Sequence, residues 1–223
     1  LLYTYTYNLK ENINFFYDKS LYNSELFTHL WSLCVEEQFY LGFPFIIYLL
    51  SKKSLKLLCF LIIILTPIAR YFTYTTFSNL STDIWFVGSL LYRNPLLQLD
   101  AFCLGTLLAL INLEKIKKPQ FVFEITLFCF LGIGIFNLFL NKQANQFVDY
   151  YSIGFGNPEF LALHYKYFYS YLVVNLLALS IILCSLKEEP ILKFLENKYL
   201  CYIGKISYGI YLYHLFIKAT LFL

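Results

Sequence analysis

The chain alternates long apolar runs with short polar segments, and the lengths of the apolar runs indicate the fold class. A helix needs about 20 predominantly apolar residues to cross the hydrocarbon of a bilayer. The pattern predicts about six spans of that kind: Trp31 to Leu50, Leu55 to Phe72, Pro95 to Leu113, Phe121 to Leu140, Phe168 to Leu186 and Ile206 to Leu223. The predicted fold is an all-α, polytopic transmembrane helix bundle, and residues 1–223 are predicted to form a single membrane domain.

The connections between these runs differ in charge, and the difference predicts their sidedness. Three short connections are rich in lysine and include Lys52, Lys117 and Lys193. The alternate connections, such as Thr73 to Asn94, are longer and contain few lysines or arginines. Cytoplasmic loops of membrane proteins carry an excess of positive charge, so we expect the lysine-rich connections in the cytoplasm. The beginning of the first span then faces away from the cytoplasm.

The composition supports a membrane protein and excludes several other classes. Hydrophobic residues make up 59% of the 223 residues and charged residues only 14%, whereas a soluble domain carries about 25% charged residues. We therefore expect a multi-pass integral membrane protein. The net charge of +3 is spread over short loops and predicts no nucleic-acid partner. The six cysteines form no C-x-x-C pair, so we expect buried thiols, with neither a zinc site nor a disulfide framework. We also expect no bound cofactor.

Two adjacent carboxylates, Glu36 and Glu37, lie near the beginning of the first apolar run. An ionised carboxylate in hydrocarbon costs several kcal/mol unless it is paired or hydrated, so its presence there suggests a functional site. On a helix, His29, Ser32, Glu36 and Tyr40 recur at spacings of three and four residues and form one polar stripe. The pattern predicts that this stripe is buried and faces a cavity.

The last apolar run carries a second polar stripe with the same spacing. Its members are Gly204, Ser207, Tyr211, His214 and Lys218. Both stripes need polar partners, and we expect that this chain alone cannot supply all of them.

Three passages of this chain resemble the acyltransferase 3 family of integral-membrane O-acyltransferases. The family pattern runs roughly H-x-W-S-L-x-V-E-E-Q-F-Y-L-x-x-P, and the segment from His29 to Pro44 matches it residue by residue. The passages from Leu99 to Ala109 and from Tyr202 to His214 resemble two later parts of the family pattern, in the expected order. The family's early spans are missing and the chain contains no methionine. We therefore expect the C-terminal portion of such a domain, with upstream N-terminal helices as its partner.

The resemblance implies transfer of an acyl group, expected to be acetyl, from an acyl-CoA co-substrate to a hydroxyl of a cell-envelope carbohydrate. A sugar hydroxyl is a weak nucleophile, so the reaction needs a base and donors that stabilise the developing oxyanion. Glu36 and His29 are the predicted catalytic residues: Glu36 is the base, or it orients and charges a histidine that is. The predicted substrate-binding residues are Trp31, Glu37, Gln38, Tyr40, Ser207, Tyr211 and His214.

Each of these residues also has a structural interpretation. Glu36 is then a buried carboxylate that pairs with an arginine, Trp31 a membrane-interface anchor, and His214 a hydrogen-bonding contact between helices. Family-like sequences have an arginine two residues before this aspartate, and here that residue is Gln98. We therefore expect Asp100 to pack or hydrogen-bond at a helix end without an ion pair.

Two other functions compete with the enzyme. One is a polytopic transporter or flippase for an envelope precursor, and the other is a non-catalytic remnant. In the leading hypothesis we expect this chain to be inactive without its upstream helices.

Overall fold

The structure is a computed structural model that describes residues 31–80, 84–143 and 166–221. Every regular element in these residues is a helix, which confirms the predicted all-α fold. The α-helices are α1 (Trp31–Leu49), α2 (Lys52–Leu80), α3 (Ile84–Arg93), α4 (Leu99–Leu110), α5 (Pro119–Gln143), α6 (Lys166–Leu186) and α7 (Lys198–Leu221). Short 3₁₀ turns occupy Pro95–Gln98, Leu113–Lys115 and Pro190–Glu196.

Among the described residues, three helices are long and apolar enough to cross a membrane: Lys52–Asn79, Pro119–Phe139 and Phe168–Leu186. They correspond to the second, fourth and fifth predicted spans, and they confirm a helical integral membrane protein. The first and sixth predicted spans form the helices α1 and α7, which are not among these three. The total of six spans therefore stays a prediction.

Two boundaries predicted from the sequence are wrong. The predicted span from Pro95 to Leu113 is a 3₁₀ turn followed by a short helix that ends at Leu110. The predicted loop from Thr73 to Asn94 contains the last turns of α2 and the whole of α3. Polar side chains such as Thr75 and Ser78 lie within α2, where their hydroxyls donate to backbone carbonyls three residues earlier.

The chain divides into two compact units. The smaller unit comprises Leu1–Phe45 and Leu192–Leu223, and the larger unit comprises Ile46–Ile191. Among described residues, the smaller unit therefore holds most of α1 together with α7, and the larger unit holds α2 to α6. That residues 1–223 form one domain stays a prediction.

In the larger unit, α5 and α6 form an antiparallel pair with two polar contacts across it. Thr126 Oγ1 lies 2.7 Å from Ser180 Oγ, and the Tyr169 hydroxyl donates to Asn137 Oδ1 at 2.5 Å. Asn137 follows Thr126 by as many residues as Ser180 follows Tyr169, so the two helices keep the same alignment between the contacts. Side-chain hydrogen bonds between membrane helices contribute about 0.6 kcal/mol each on average, and here they also set the alignment of the pair.

The helices α2 and α4 are also antiparallel, because Arg70 contacts Asp100 while the earlier Cys59 lies near the later Cys103. Both antiparallel pairs place the lysine-rich segments of this unit at one end of it. These segments contain Lys52, Lys53, Lys56, Lys115, Lys117, Lys118 and Lys187. The arrangement agrees with the loop charges, and the cytoplasmic location of this end stays a prediction.

The helix α6 ends in a Schellman motif, which satisfies its last carbonyls. The backbone N–H of Glu189 donates to the carbonyl of Cys184 at 3.0 Å, and that of Glu188 donates to Ser185 at 3.2 Å. Glu188 has a φ of 53°, the left-handed region in which glycine is favoured. A glutamate at this position therefore strains the backbone.

Replacing Glu188 with glycine is expected to raise the free energy of unfolding by about 1 kcal/mol, because glycine removes the Cβ strain of the left-handed conformation. Glu189→Gly is the matched control, since it removes the same charge where the backbone is not left-handed. The control should lower the free energy of unfolding by about 0.5–1 kcal/mol. Denaturant titration in detergent micelles measures both, and a loss of stability in both variants would contradict the assignment.

Candidate functional site

A hydrogen bond between side chains joins α1 to α7 in the smaller unit. Ser32 Oγ and the Tyr211 hydroxyl oxygen lie 2.5 Å apart, although 179 residues separate them in sequence. Ser32 belongs to the polar stripe of the first helix and Tyr211 to the stripe of the last. Here the two stripes partner each other. The expectation that this chain cannot supply all of their partners stays a prediction.

The carboxylates of α1 lie on its accessible side. Cys34 and Val35 are buried with 4% and 7% exposure, whereas Glu36 and Glu37 are exposed. Successive helical residues are 100° apart, so the helix turns from its packed face to its open face within two residues. Glu36 was predicted to be buried, and in this structure it is exposed.

The other predicted residues of α1 differ in exposure. Gln38 is half-buried and Tyr40 is 65% exposed. Trp31 is the first residue of α1, and its side chain lies outside the described part. His29 also lies outside the described residues, so its predicted catalytic role stays a prediction.

The polar stripe of α7 makes hydrogen bonds to its own backbone. Ser207 Oγ donates to the carbonyl of Gly204 at 2.8 Å. His214 Nδ1 lies 2.6 Å from the carbonyl oxygen of Tyr211, and the rings of Tyr211 and His214 are 5.7 Å apart between centroids. Ser207 and His214 are exposed while Tyr211 is half-buried. The stripe therefore contacts α1 through Tyr211 and presents Ser207 and His214 on the surface of the unit.

A second polar centre, fully buried, lies in the larger unit. Arg70 and Asp100 form a bidentate ion pair, in which Nη2 lies 2.6 Å from Oδ1 and Nη1 lies 2.9 Å from Oδ2. Both side chains are 0% exposed. Arg70 Nε also donates to the carbonyl of Leu97 at 2.7 Å. The guanidinium carbon lies 4.4 Å from the centre of the Tyr171 ring, within the range of a cation–π contact.

This ion pair corrects the prediction for Asp100, which was expected to pack or hydrogen-bond without an ion pair. Its partner, Arg70, was missed by the sequence analysis. The signal was present, because an arginine inside an apolar run is costly unless it is paired. Arg70 lies on another helix, 30 residues from Asp100 in sequence, whereas the family pattern suggested a partner two residues away.

Comparison with known proteins identifies the family. The family model described as "Acyltransferase domain" matches residues 1–222. This chain belongs to the acyltransferase 3 family. It is also similar to proteins named O-acetyltransferase OatA from Staphylococcus aureus strains NCTC 8325 / PS 47, COL and MRSA252. Each is 27% identical over 214 residues, which cover 92% of this chain and 31% of the relative.

The chain thus spans about a third of the length of the curated relatives it matches. No solved structure matches it. The acyltransferase 3 motifs divide between the two units of the chain. The first and last passages lie on α1 and α7, where Ser32 and Tyr211 hydrogen-bond. The middle passage provides Asp100, which pairs with Arg70 in the larger unit.

Proposed function

We propose that this protein transfers an acyl group, acetyl in the first instance, from an acyl-CoA donor to a hydroxyl of a cell-envelope carbohydrate. Membership of the acyltransferase 3 family supports the class of reaction. The observation that carries the proposal is the hydrogen bond between Ser32 and Tyr211, because it brings two separate family motifs together. The location that suits this acceptor is a bacterial inner membrane, which the protein crosses several times.

The chemistry requires a group that removes a proton from the acceptor hydroxyl as its oxygen attacks the thioester carbonyl. Glu36 suits this task because its carboxylate is exposed. It lies four residues after Ser32, which corresponds to about 6 Å along the helix. It therefore adjoins the contact between the two motifs, where it accepts the proton itself or stabilises the positive charge of a histidine that accepts it.

The remaining predicted residues are proposed to bind the substrates. Gln38, Glu37 and Ser207 offer hydrogen bonds to sugar hydroxyls, while Trp31 and Tyr40 offer aromatic rings that pack on a sugar face. Because the chain spans 31% of its relatives, the upstream helices of the full-length protein are proposed to complete the site. We accordingly propose that these 223 residues alone do not catalyse the transfer.

A transfer assay tests the proposal. Membranes that contain the full-length protein are incubated with radiolabelled acetyl coenzyme A and the carbohydrate fraction of the host cell envelope. Alkali-labile label in the carbohydrate, absent from membranes without the protein, is the expected result. Carbohydrate that stays unlabelled while an envelope precursor crosses the membrane would favour a transporter and contradict the enzyme.

A further inference from the structure

Seven lysines of the larger unit lie together at the end of it that is called the lysine-rich end below. They are Lys52, Lys53, Lys56, Lys115, Lys117, Lys118 and Lys187. The connection from α4 to α5 joins the two antiparallel helix pairs at this end, and the contact between Arg70 and Tyr171 joins them towards the other. The beginnings of α2 and α5 and the end of α6 therefore present their lysines on one surface.

The described residues around these lysines do not neutralise their charge. Six of the seven are exposed and Lys187 is half-buried. The one ion pair within the described part of the chain is that of Arg70 with Asp100, so none of these lysines pairs with a carboxylate there. The glutamates at or near the same end are Glu114, Glu124, Glu188 and Glu189. The lysines outnumber them, so the surface is positively charged.

Exposed apolar side chains lie beside the lysines on three helices. Leu57 is 59% exposed and Phe121 is 57% exposed, and they follow Lys53 and Lys118 at the spacing of one helical turn. Leu186, at the end of α6 next to Lys187, is also 57% exposed. All three helices are long and apolar enough to cross a membrane. The apolar side chains therefore lie on the hydrocarbon side, and the flexible lysines extend their ammonium groups to its edge.

We propose that the lysine-rich end binds anionic phospholipids of the phosphatidylglycerol type in the adjoining leaflet. The acyl chains of such a lipid cover Leu57, Phe121 and Leu186, while its phosphate lies at the level of the ammonium groups. A phosphate accepts charge-assisted hydrogen bonds from lysine, which binds it as a point charge. The inference is independent of the proposed acyl transfer.

Two features of this surface determine which ligand it favours. Its exposed apolar side chains favour a lipid over a soluble phosphate compound, which has no acyl chains to cover them. Its unneutralised lysines favour an anionic lipid over phosphatidylcholine, because the choline cation offsets the charge of the phosphate. The expected preference therefore follows the net charge of the lipid and is weakened by salt.

The experiment measures which lipid contacts the protein. The full-length protein is placed in phosphatidylcholine nanodiscs that contain a trace of spin-labelled phosphatidylglycerol or spin-labelled phosphatidylcholine. Electron paramagnetic resonance separates lipid immobilised by the protein from free lipid. We expect the phosphatidylglycerol label to associate about threefold more strongly at low salt, and this preference to disappear in roughly 1 M salt. Equal association of the two labels at low salt would overturn the inference.

Matched double variants assign the preference to this end of the unit. Lys117→Gln/Lys118→Gln removes two charges of the lysine-rich end and is expected to lower the preference by about half. Lys142→Gln/Lys166→Gln removes two charges near the end of α5 and at the beginning of α6, which is the opposite end, and should leave the preference unchanged. Lys117→Arg/Lys118→Arg keeps the charge and should keep the preference. An equal loss in both glutamine variants would overturn the inference.

Coenzyme A is the competing ligand, because its phosphates offer the same charge without the acyl chains of a lipid. It is added in excess to the nanodiscs at constant ionic strength. We expect the association of the phosphatidylglycerol label to stay unchanged. Displacement of the label by coenzyme A would assign the lysine-rich end to a soluble phosphate compound and contradict its assignment to a lipid.

Discussion

Replacing Asp100 with asparagine is expected to lower the free energy of unfolding by about 3–5 kcal/mol, the usual effect of removing one partner from a buried ion pair. Asp100 and Arg70 are both 0% exposed, so the substitution leaves the guanidinium charged with no counter-charge beside it. The contacts of Arg70 with the Leu97 carbonyl and the Tyr171 ring remain, but neither carries a negative charge. Denaturant titration of the chain in detergent micelles measures the change.

The matched control for this prediction is Glu114→Gln. It makes the same change from acid to amide in the same unit, but Glu114 is exposed, so its effect should stay within about 0.5 kcal/mol. The double variant Arg70→Met/Asp100→Leu should recover much of the loss, because it removes both charges together. If Asp100→Asn destabilises the protein no more than Glu114→Gln does, the ion pair has no such role.

Replacing Glu36 with glutamine is expected to lower the rate of acetyl transfer by about tenfold or more, which corresponds to about 1.4 kcal/mol of transition-state stabilisation. Glutamine keeps the shape of the side chain and its capacity for hydrogen bonds while it removes the negative charge. The substitution therefore isolates the proton-transfer and electrostatic roles of Glu36. The measurement is the transfer of radiolabelled acetyl by the full-length protein, normalised to the amount of folded protein.

Two further variants define the specificity of that effect. Glu196→Gln removes an exposed carboxylate from the same unit outside the site, and its rate should equal that of the unsubstituted protein. Glu37→Gln should lower the rate less than Glu36→Gln, because Glu37 is turned a further 100° around the helix from Ser32. A well-expressed Glu36→Gln protein with a normal rate would leave Glu36 no catalytic role.

The fold was predictable where hydrophobicity decides the outcome. The apolar runs that became α2, α5 and α6 were located correctly, because a long apolar run has few alternatives to a membrane helix. The end of α2 and the whole of α3 were missed. Polar residues such as Thr75 lie in this region, and hydropathy does not register the backbone hydrogen bonds that continue a helix through them. The lengths of helices therefore depend on local bonding that the hydropathy pattern does not contain.

The candidate site was predictable in its residues and not in its pairing. Helical periodicity identified Ser32 and Tyr211 as members of polar stripes, but a period defines a face of one helix and leaves the facing helix undetermined. The same limit explains why Arg70 was missed as the partner of Asp100. The exposure of Glu36 was also mispredicted. A charge in hydrocarbon is costly unless it is hydrated or paired, and the sequence does not distinguish these two outcomes.

The contact between Asn137 and Tyr169 has a consequence for the biosynthesis of the protein. Asn137 is 0% exposed, and the tyrosine that donates to its amide oxygen is synthesised 32 residues later. At about 5–20 residues per second, the ribosome needs about 2–6 s to reach it. During that interval α5 holds an amide that is costly to expose to lipid. We therefore expect α5 to be more stable in the bilayer once α6 has emerged and paired with it.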